Sequence, residues 1–148
     1  MNDCHEVYAV KYAQKLDRFR RDNFIEAVYE DRVVFHDTKQ RIAPGVSVHH
    51  IGGHTPGMQS VRVNTARGQV VLASDAAHYY ENFLDRRPYP TVCRVDEMVL
   101  GWDTLQRLAD SPRHVVPGHD PQVLQHYRAG EASLAGIVAR LHEPPAAG

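Results

Sequence analysis

The sequence predicts an α/β fold, more closely an α+β domain with a mixed sheet, and three observations lead to that prediction. Short apolar runs with strand-like patterning fill the middle of the chain, at 46–48, 61–63 and 70–73. Residues 95–109 carry one clear helical stripe, and loops rich in glycine and proline follow several of the strands. Strands and helices that alternate in this way are typical of a sheet covered by helices.

The N-terminal segment has the apolar spacing of an amphipathic helix. Over residues 4–19, apolar side chains recur at steps of three and four, and charged residues lie between them. This spacing predicts a helix with one buried face. Residues 24–29 are also rich in apolar side chains, and they fit either a further helical turn or the approach to a strand.

Four apolar runs predict strands. The runs at 33–35 and 46–48 are separated by a loop that contains a proline–glycine pair. Valines alternate with polar residues over 61–63, and residues 65–68 supply a hairpin connection to the next strand. That strand, 70–73, is apolar without alternation, which predicts a central strand covered on both faces.

The C-terminal half contains the clearest helix and one further strand. The helical stripe at 95–109 stops at a serine–proline pair, and residues 115–116 form a brief strand after it. The apolar residues of 134–141 fit a helix, whereas residues 136–141 also fit an edge strand. At this length we expect residues 1–143 to form a single domain and residues 144–148 to form a disordered tail.

Charge and hydropathy argue against several kinds of partner. The net charge of −1 lacks the basic excess that binding to nucleic acid requires. No apolar run approaches the roughly 18 residues of a membrane span, and the first residues do not resemble a signal peptide. The two cysteines, Cys4 and Cys93, lie far apart, which favours reduced thiols. We therefore expect a cytoplasmic protein with no nucleic-acid or membrane partner.

Three residues are candidate metal ligands. His54 lies in the loop Gly-Gly-His-Thr-Pro-Gly, where glycine and proline fix the backbone around one imidazole. By itself this loop fits a metal ligand or a passive polar residue in a turn equally well. Two further residues favour the ligand, because Asp75 follows the strand 70–73 and His119 follows the strand at 115–116. Loops at strand ends can converge at one edge of a sheet.

Two neutral imidazoles and one carboxylate form a donor set that suits zinc or a similar divalent ion. Such an ion lowers the pKa of bound water from near 16 to about 7 and polarises a carbonyl for attack. The predicted reaction class is therefore hydrolysis of an acyl bond, with zinc as the cofactor.

Three motifs together resemble a known family. They are Gly-Gly-His54-Thr-Pro-Gly-Met, then Leu-Ala-Ser-Asp75-Ala-Ala-His-Tyr-Tyr-Glu-Asn, then Pro-Gly-His119-Asp. In this order and at these separations they resemble the second half of a metallo-β-lactamase-superfamily hydrolase, and within it the N-acyl homoserine lactonase branch. The resemblance implies half of an αββα sandwich and a lactone or ester substrate. It also implies that His54 completes the histidine set of a first metal, Asp75 bridges two metals and His119 binds the second.

The sequence departs from the family in one motif. The family signature His-x-His-x-Asp-His is absent from this chain, so three of seven expected ligands remain. His49 and His50 have the wrong spacing to replace it, and we interpret them as ordinary strand or loop histidines. The departure predicts a truncated form of a quorum-quenching hydrolase, with impaired activity in this chain.

Lactonases of this branch commonly place a tyrosine hydroxyl three residues after the bridging aspartate, where it can stabilise a developing oxyanion. In this chain that position is His78, followed by Tyr79 and Tyr80. Any of the three fits a catalytic donor, and packing or surface roles fit them as well. Asp120 fits either a residue that orients His119 or a cap for the next turn.

Other functions remain open at this point. A different ester, a thioester or a lactam is an alternative substrate. A non-catalytic remnant is an alternative of another class. Half of a two-sheet sandwich leaves one sheet face uncovered, and such a face usually finds a partner, which predicts a homodimer that packs sheet to sheet.

Overall fold

The computed structural model describes residues 4–10 and 25–146. The strands are β1 (Tyr8–Val10), β2 (Gln40–Ala43), β3 (Val46–His50), β4 (Gln59–Thr65), β5 (Gly68–Ser74), β6 (Val115–Pro117) and β7 (Val138–Arg140). The helices are α1 (residues 25–29), α2 (Tyr80–Leu84), α3 (Val95–Leu108) and α4 (Val123–His126).

The described strands form one mixed sheet and one small antiparallel pair. The larger sheet has the order β2-β3-β4-β5-β6, and β1 pairs separately with β7. Strands β2 to β5 are joined as antiparallel neighbours, whereas β6 runs parallel to β5. The parallel pair needs a long crossover, which α2 and α3 supply. As a result, the carboxyl ends of β5 and β6 lie side by side at one edge of the sheet.

Strand β5 is the centre of the hydrophobic core. Val71 and Ala73 pack with Trp102 of α3 in one buried cluster. Val70 packs in a second cluster with Ala139 of β7. Successive side chains of a strand point to opposite faces, so β5 is covered on both sides. The prediction made from the unbroken apolar run at 70–73 is confirmed.

The second face is less covered where β3 and β4 form it. Val48 pairs with Val61, and Val61 pairs with Leu72, so these three side chains lie on one face. All three are only partly buried. The sheet therefore keeps an apolar strip that the rest of the described chain covers incompletely.

The helix predicted over residues 4–19 is wrong where the structure describes it. Residues 8–10 form β1, whose Tyr8 pairs with Arg140 of β7. The apolar positions 4, 8, 12 and 16 are all even, so their spacing fits the two-residue period of a strand as well as a helix. Pairing with β7 selects the strand. Residues 11–19 lie outside the described residues.

The strand predicted at 33–35 is also wrong. This segment has no regular secondary structure, and Val34 and Phe35 are each 74% exposed. A β-branched run favours a strand only when a ladder partner is present. Among the described strands, the edge strand β2 pairs only with β3, so residues 33–35 add no strand beside it.

The structure decides two segments that the sequence left open. Residues 25–29 are helical, and the segment 136–141 contains the strand β7. The predicted helix at 95–109 is confirmed as α3, which ends one residue earlier. Within the described ranges, none of the helices combines the length and the apolar character that crossing a bilayer requires.

Candidate metal centre

The loops after β5 and β6 are joined through their backbones. The amide of Gly118 donates to Ala77 O at 2.9 Å, and the amide of His119 donates to His78 O at 3.0 Å. A Cβ atom on Gly118 would lie 2.6 Å from Ser74 O, so only glycine permits this close approach. The parallel strand pair and these two bonds bring Asp75 and His119 together.

Three side chains converge at this edge. His119 Nε2 lies 2.5 Å from Asp75 Oδ1, and His78 Nε2 lies 3.6 Å from the same oxygen. One ligand atom from each of the three residues lies within 4.8 Å of the other two. Sequence reasoning placed Asp75 and His119 here as metal ligands, whereas it considered His78 only as a catalytic donor.

His54 lies beside this group on its own loop. Its ring centroid is 5.6 Å from that of His78. Its Nδ1 lies 2.7 Å from the carbonyl oxygen of Thr91, a hydrogen bond that favours the tautomer in which Nε2 is the nitrogen available to a metal. The loop closes where the amide of Ile51 donates to Met58 O at 2.8 Å. The structure thus gathers His54, Asp75 and His119 in one region, with His78 between them.

Tyr89 supports the group, and sequence reasoning missed it. Its ring stacks on His78, with centroids 3.8 Å apart and planes 14° apart. Its hydroxyl donates to the backbone oxygen of Asp75. Burial, followed by the nearby charge of Asp75, raises the pKa of Tyr89 to about 12, so the hydroxyl keeps its proton at neutral pH. A tyrosine between two prolines in a loop was the available signal.

The two tyrosines that follow His78 have different surroundings. The side chain of Tyr79 is 42% exposed, and its ring centroid lies 6.3 Å from that of His78. The ring of Tyr80 packs instead beside Phe83 and His126 and is partly buried. Burial is the largest cause that raises the pKa of Tyr80. Tyr79 is therefore the more exposed of the two tyrosines.

Asp120 acts as a cap in this structure. Its Oδ1 accepts from the amide of Gln122 at 2.9 Å, and its Oδ2 accepts from the amide of Tyr80 at 3.0 Å. The buried carboxylate thus holds the turn after His119 and ties it to the start of α2. Of the two roles left open from the sequence, the structure supports the cap.

His49 and His50 have partners close to their own strand. His49 Nε2 lies 2.8 Å from Ser47 Oγ, and His50 Nε2 donates to Pro56 O at 2.7 Å. Each ring is therefore held by a local hydrogen bond, in keeping with their interpretation as strand histidines.

The donor set fits a zinc-like ion on chemical grounds. Zinc takes imidazole nitrogen and carboxylate oxygen at about 2.0–2.2 Å, commonly in a tetrahedron. Tetrahedral ligand atoms at that range lie about 3.4 Å apart, close to the 3.6 Å between His78 Nε2 and Asp75 Oδ1. His119 Nε2 lies only 2.5 Å from the same oxygen in a direct hydrogen bond, which an incoming ion would replace. Burial and then the neighbouring His119 lower the pKa of His78, which favours the neutral imidazole that a metal requires.

Comparison with known proteins gives partial matches. No protein-family model matches the chain. An N-acyl homoserine lactonase from Bacillus sp. is 43% identical over 49 residues, which are 32% of this chain and 20% of that protein. The chain therefore spans about a fifth of the curated relative that it matches.

Two solved structures extend the comparison to the fold. An N-acyl homoserine lactone hydrolase with the product N-hexanoyl-L-homoserine at its catalytic metal centre is 26% identical, with a TM-score of 0.56. The match covers 63% of this chain and 38% of that one. AidC, a dizinc quorum-quenching lactonase, shares the fold alone at 13% identity and a TM-score of 0.52, over 73% of this chain and 39% of its own.

The sequence motifs, the mixed sheet and these matches agree with one another. Each match covers only part of both chains, and each relative is a lactonase. Over part of its length, this chain is related to the N-acyl homoserine lactonase-like branch of the metallo-β-lactamase superfamily.

Proposed function

We propose that this chain takes part in metal-dependent hydrolysis that opens the lactone ring of N-acyl homoserine lactones. The observation that carries the proposal is the convergence of Asp75, His78 and His119 at the ends of β5 and β6. In the reaction, water adds across the ring ester bond. The bond between the ring carbonyl carbon and the ring oxygen breaks. The ring carbonyl carbon gains a hydroxyl group and the ring oxygen gains a proton, which gives the open N-acyl homoserine.

In this proposal His54, Asp75 and His119 are metal ligands, and the ion is zinc. A bound divalent ion supplies hydroxide at neutral pH and polarises the lactone carbonyl. The hydrogen bond from His54 Nδ1 to Thr91 O fixes the tautomer that offers Nε2. Asp75 has two carboxylate oxygens that could bind the ion, and His119 Nε2 would exchange its hydrogen bond to Asp75 Oδ1 for the ion.

Tyr79 is the proposed donor to the oxyanion that develops on the lactone carbonyl. Its side chain is partly exposed beside His78, where a substrate can reach it. His78 directs its Nε2 towards Asp75 Oδ1, 3.6 Å away, and not towards open solvent where a substrate would bind. We therefore assign the catalytic hydrogen bond to Tyr79.

The missing His-x-His-x-Asp-His motif sets the expected rate. In this family that motif supplies four of the seven expected ligands, and the sequence contains no copy of it. We therefore propose that these 148 residues by themselves open lactones more slowly than the lactonases they resemble, because four of the seven expected ligands are absent from them.

The test is ring opening of N-hexanoyl homoserine lactone by the 148-residue chain, measured as the open acid by mass spectrometry. We expect a rate above the buffer blank that requires zinc and disappears with a chelator. Asp75→Asn should lower the zinc-dependent rate at least about tenfold, because it alters the carboxylate that both histidines approach. Asp103→Asn is the matched control, because Asp103 is an exposed partner of Arg86.

Two results would contradict the proposal. One is the absence of zinc-dependent ring opening at any acyl length tested. The other is an equal zinc-dependent rate in Asp75→Asn and in the Asp103→Asn control.

A second candidate function is a self-associating module without catalysis. The observation that favours it is the partly exposed apolar strip of Val48, Val61 and Leu72. Two copies packed on this strip with two-fold symmetry would cover it. Sedimentation should then show a dimer that Val61→Lys converts to a monomer, and a wild-type monomer at all concentrations would count against it.

A further inference from the structure

We propose that His78 is itself a metal ligand, so that Asp75, His78 and His119 form a three-residue site that binds one divalent ion within this chain. This inference deepens the proposed function, because both depend on a metal at Asp75 and His119. It adds a ligand at the position where the resembling lactonases commonly carry a tyrosine. The chain would then bind an ion without any residue of the missing motif.

The imidazole rings of His78 and His119 both point towards the Asp75 carboxylate. His78 and His119 both bring Nε2 to the same oxygen, Asp75 Oδ1, at 3.6 and 2.5 Å. One ligand atom from each of the three residues lies within 4.8 Å of the others, so one ion could take the place of the direct contact between His119 and Asp75 and bind all three. Two histidines and one carboxylate also match the donor set of known catalytic zinc sites, which keep a fourth position for water.

The ring and the backbone of His78 are both held in place by neighbouring residues. Its side chain is 19% exposed, whereas that of His119 is 56% exposed. Tyr89 stacks on the His78 ring, and the amide of His119 bonds to the His78 carbonyl. A ligand that is fixed before the metal arrives loses less conformational entropy on binding.

His54 lies on a different loop from the other three residues. Its ring lies 5.6 Å from that of His78, on a loop tied to Thr91 rather than to β5 or β6. Three donors on two joined loops are therefore complete before His54 is counted. His54 is left to bind a second ion or to complete the first.

The experiment is titration of the metal-free 148-residue chain with Co²⁺, followed by competition with Zn²⁺. We expect the chain to bind one equivalent of Co²⁺, with the visible absorption that is typical of four-coordinate Co²⁺. His78→Gln should weaken binding at least about tenfold, and His54→Gln should weaken it less. His5→Gln is the matched control, because His5 bonds to Pro44 O and Asn64 O at the far end of the β3–β4 ladder.

A second variant protects the test against misfolding. His78→Tyr keeps an aromatic ring for stacking on Tyr89 and removes the imidazole. It should unfold at a temperature close to that of the wild type and still lose Co²⁺ affinity. In the wild type, the imidazole ¹⁵N signal of His78 Nε2 should shift when zinc is added, and this readout requires no variant.

Three outcomes would overturn the inference. They are no Co²⁺ or Zn²⁺ binding by the wild type, unchanged affinity in both folded His78 variants, and a His78 ¹⁵N signal that zinc does not move. If His78 variants bind normally while Asp75→Asn and His54→Gln do not, His78 is excluded and the proposed function stands. If binding follows the inference but no lactone is opened, the proposed function fails and the metal site stands.

Discussion

Replacing Trp102 by alanine is expected to cost about 3–5 kcal/mol of unfolding free energy, the largest loss of stability for any single side chain in this core. Trp102 lies on α3, is fully buried and packs in the same cluster as Val71 and Ala73 of β5. Its Nε1 also donates to Ala76 O at 2.9 Å, one residue after the candidate ligand Asp75. The truncation leaves a cavity and an unpaired buried carbonyl at once. Urea denaturation followed by circular dichroism measures the effect.

Leu100→Ala is the matched control on the same helix. Leu100 is 65% exposed, so its truncation should change the free energy of unfolding by no more than about 0.5 kcal/mol. Trp102→Phe separates the two contributions, because it keeps most of the ring and removes the donor. A loss of less than 1 kcal/mol in Trp102→Ala would mean that α3 does not pack on β5 as described.

Replacing Gly53 by alanine is expected to destabilise the loop that carries His54 by on the order of 3 kcal/mol. Gly53 has a φ of +82°, and an added Cβ would lie 2.6 Å from both the Cα and the amide nitrogen of Met98. Neither backbone atom can give way cheaply. Gly53 O also accepts from the amides of Cys93 and Arg94, each at 3.0 Å, so the displacement would reach the start of α3. Thermal unfolding measures the loss.

Gly57 is the control in the same loop. Apart from Gly57 itself and its two chain neighbours, no atom of residues 4–10 and 25–146 lies within 4 Å of a Cβ added there, and its φ is not in the left-handed region. Gly57→Ala should leave stability unchanged or raise it slightly, since alanine narrows the unfolded ensemble. Equal melting temperatures for the two alanine variants would contradict the close contact between Gly53 and α3.

Sequence reasoning predicted the part of the fold that depends on unambiguous patterns. The stripe of α3 and the unbroken apolar run of β5 each have one structural solution, and both are confirmed. The segment 4–19, which contains β1, fits two periods, because its even-numbered apolar positions suit a strand as well as a helix. Only the distant strand β7, more than a hundred residues away, decides between them. Local patterns cannot contain that information.

The candidate site shows the same division. Glycine and proline around His54 and His119 are local signals, and they pointed to two of the residues that now lie together. The stacking of Tyr89 on His78 depends on a loop that folds back from residue 89 to the end of β5. From the sequence, His78 could not be recognised as a candidate metal ligand, nor Tyr89 as the residue that stacks on it. The two rings come together only when the loop that carries Tyr89 has folded.

The most direct measurement is the anomalous X-ray signal of zinc in crystals of the 148-residue chain grown with the metal. We expect one peak within bonding distance of Asp75 and His119, with His78 as the third protein ligand. An anomalous zinc peak at another place, for example beside His49 and His50, would show that the strand ends do not form a metal centre. The absence of any zinc peak would show the same.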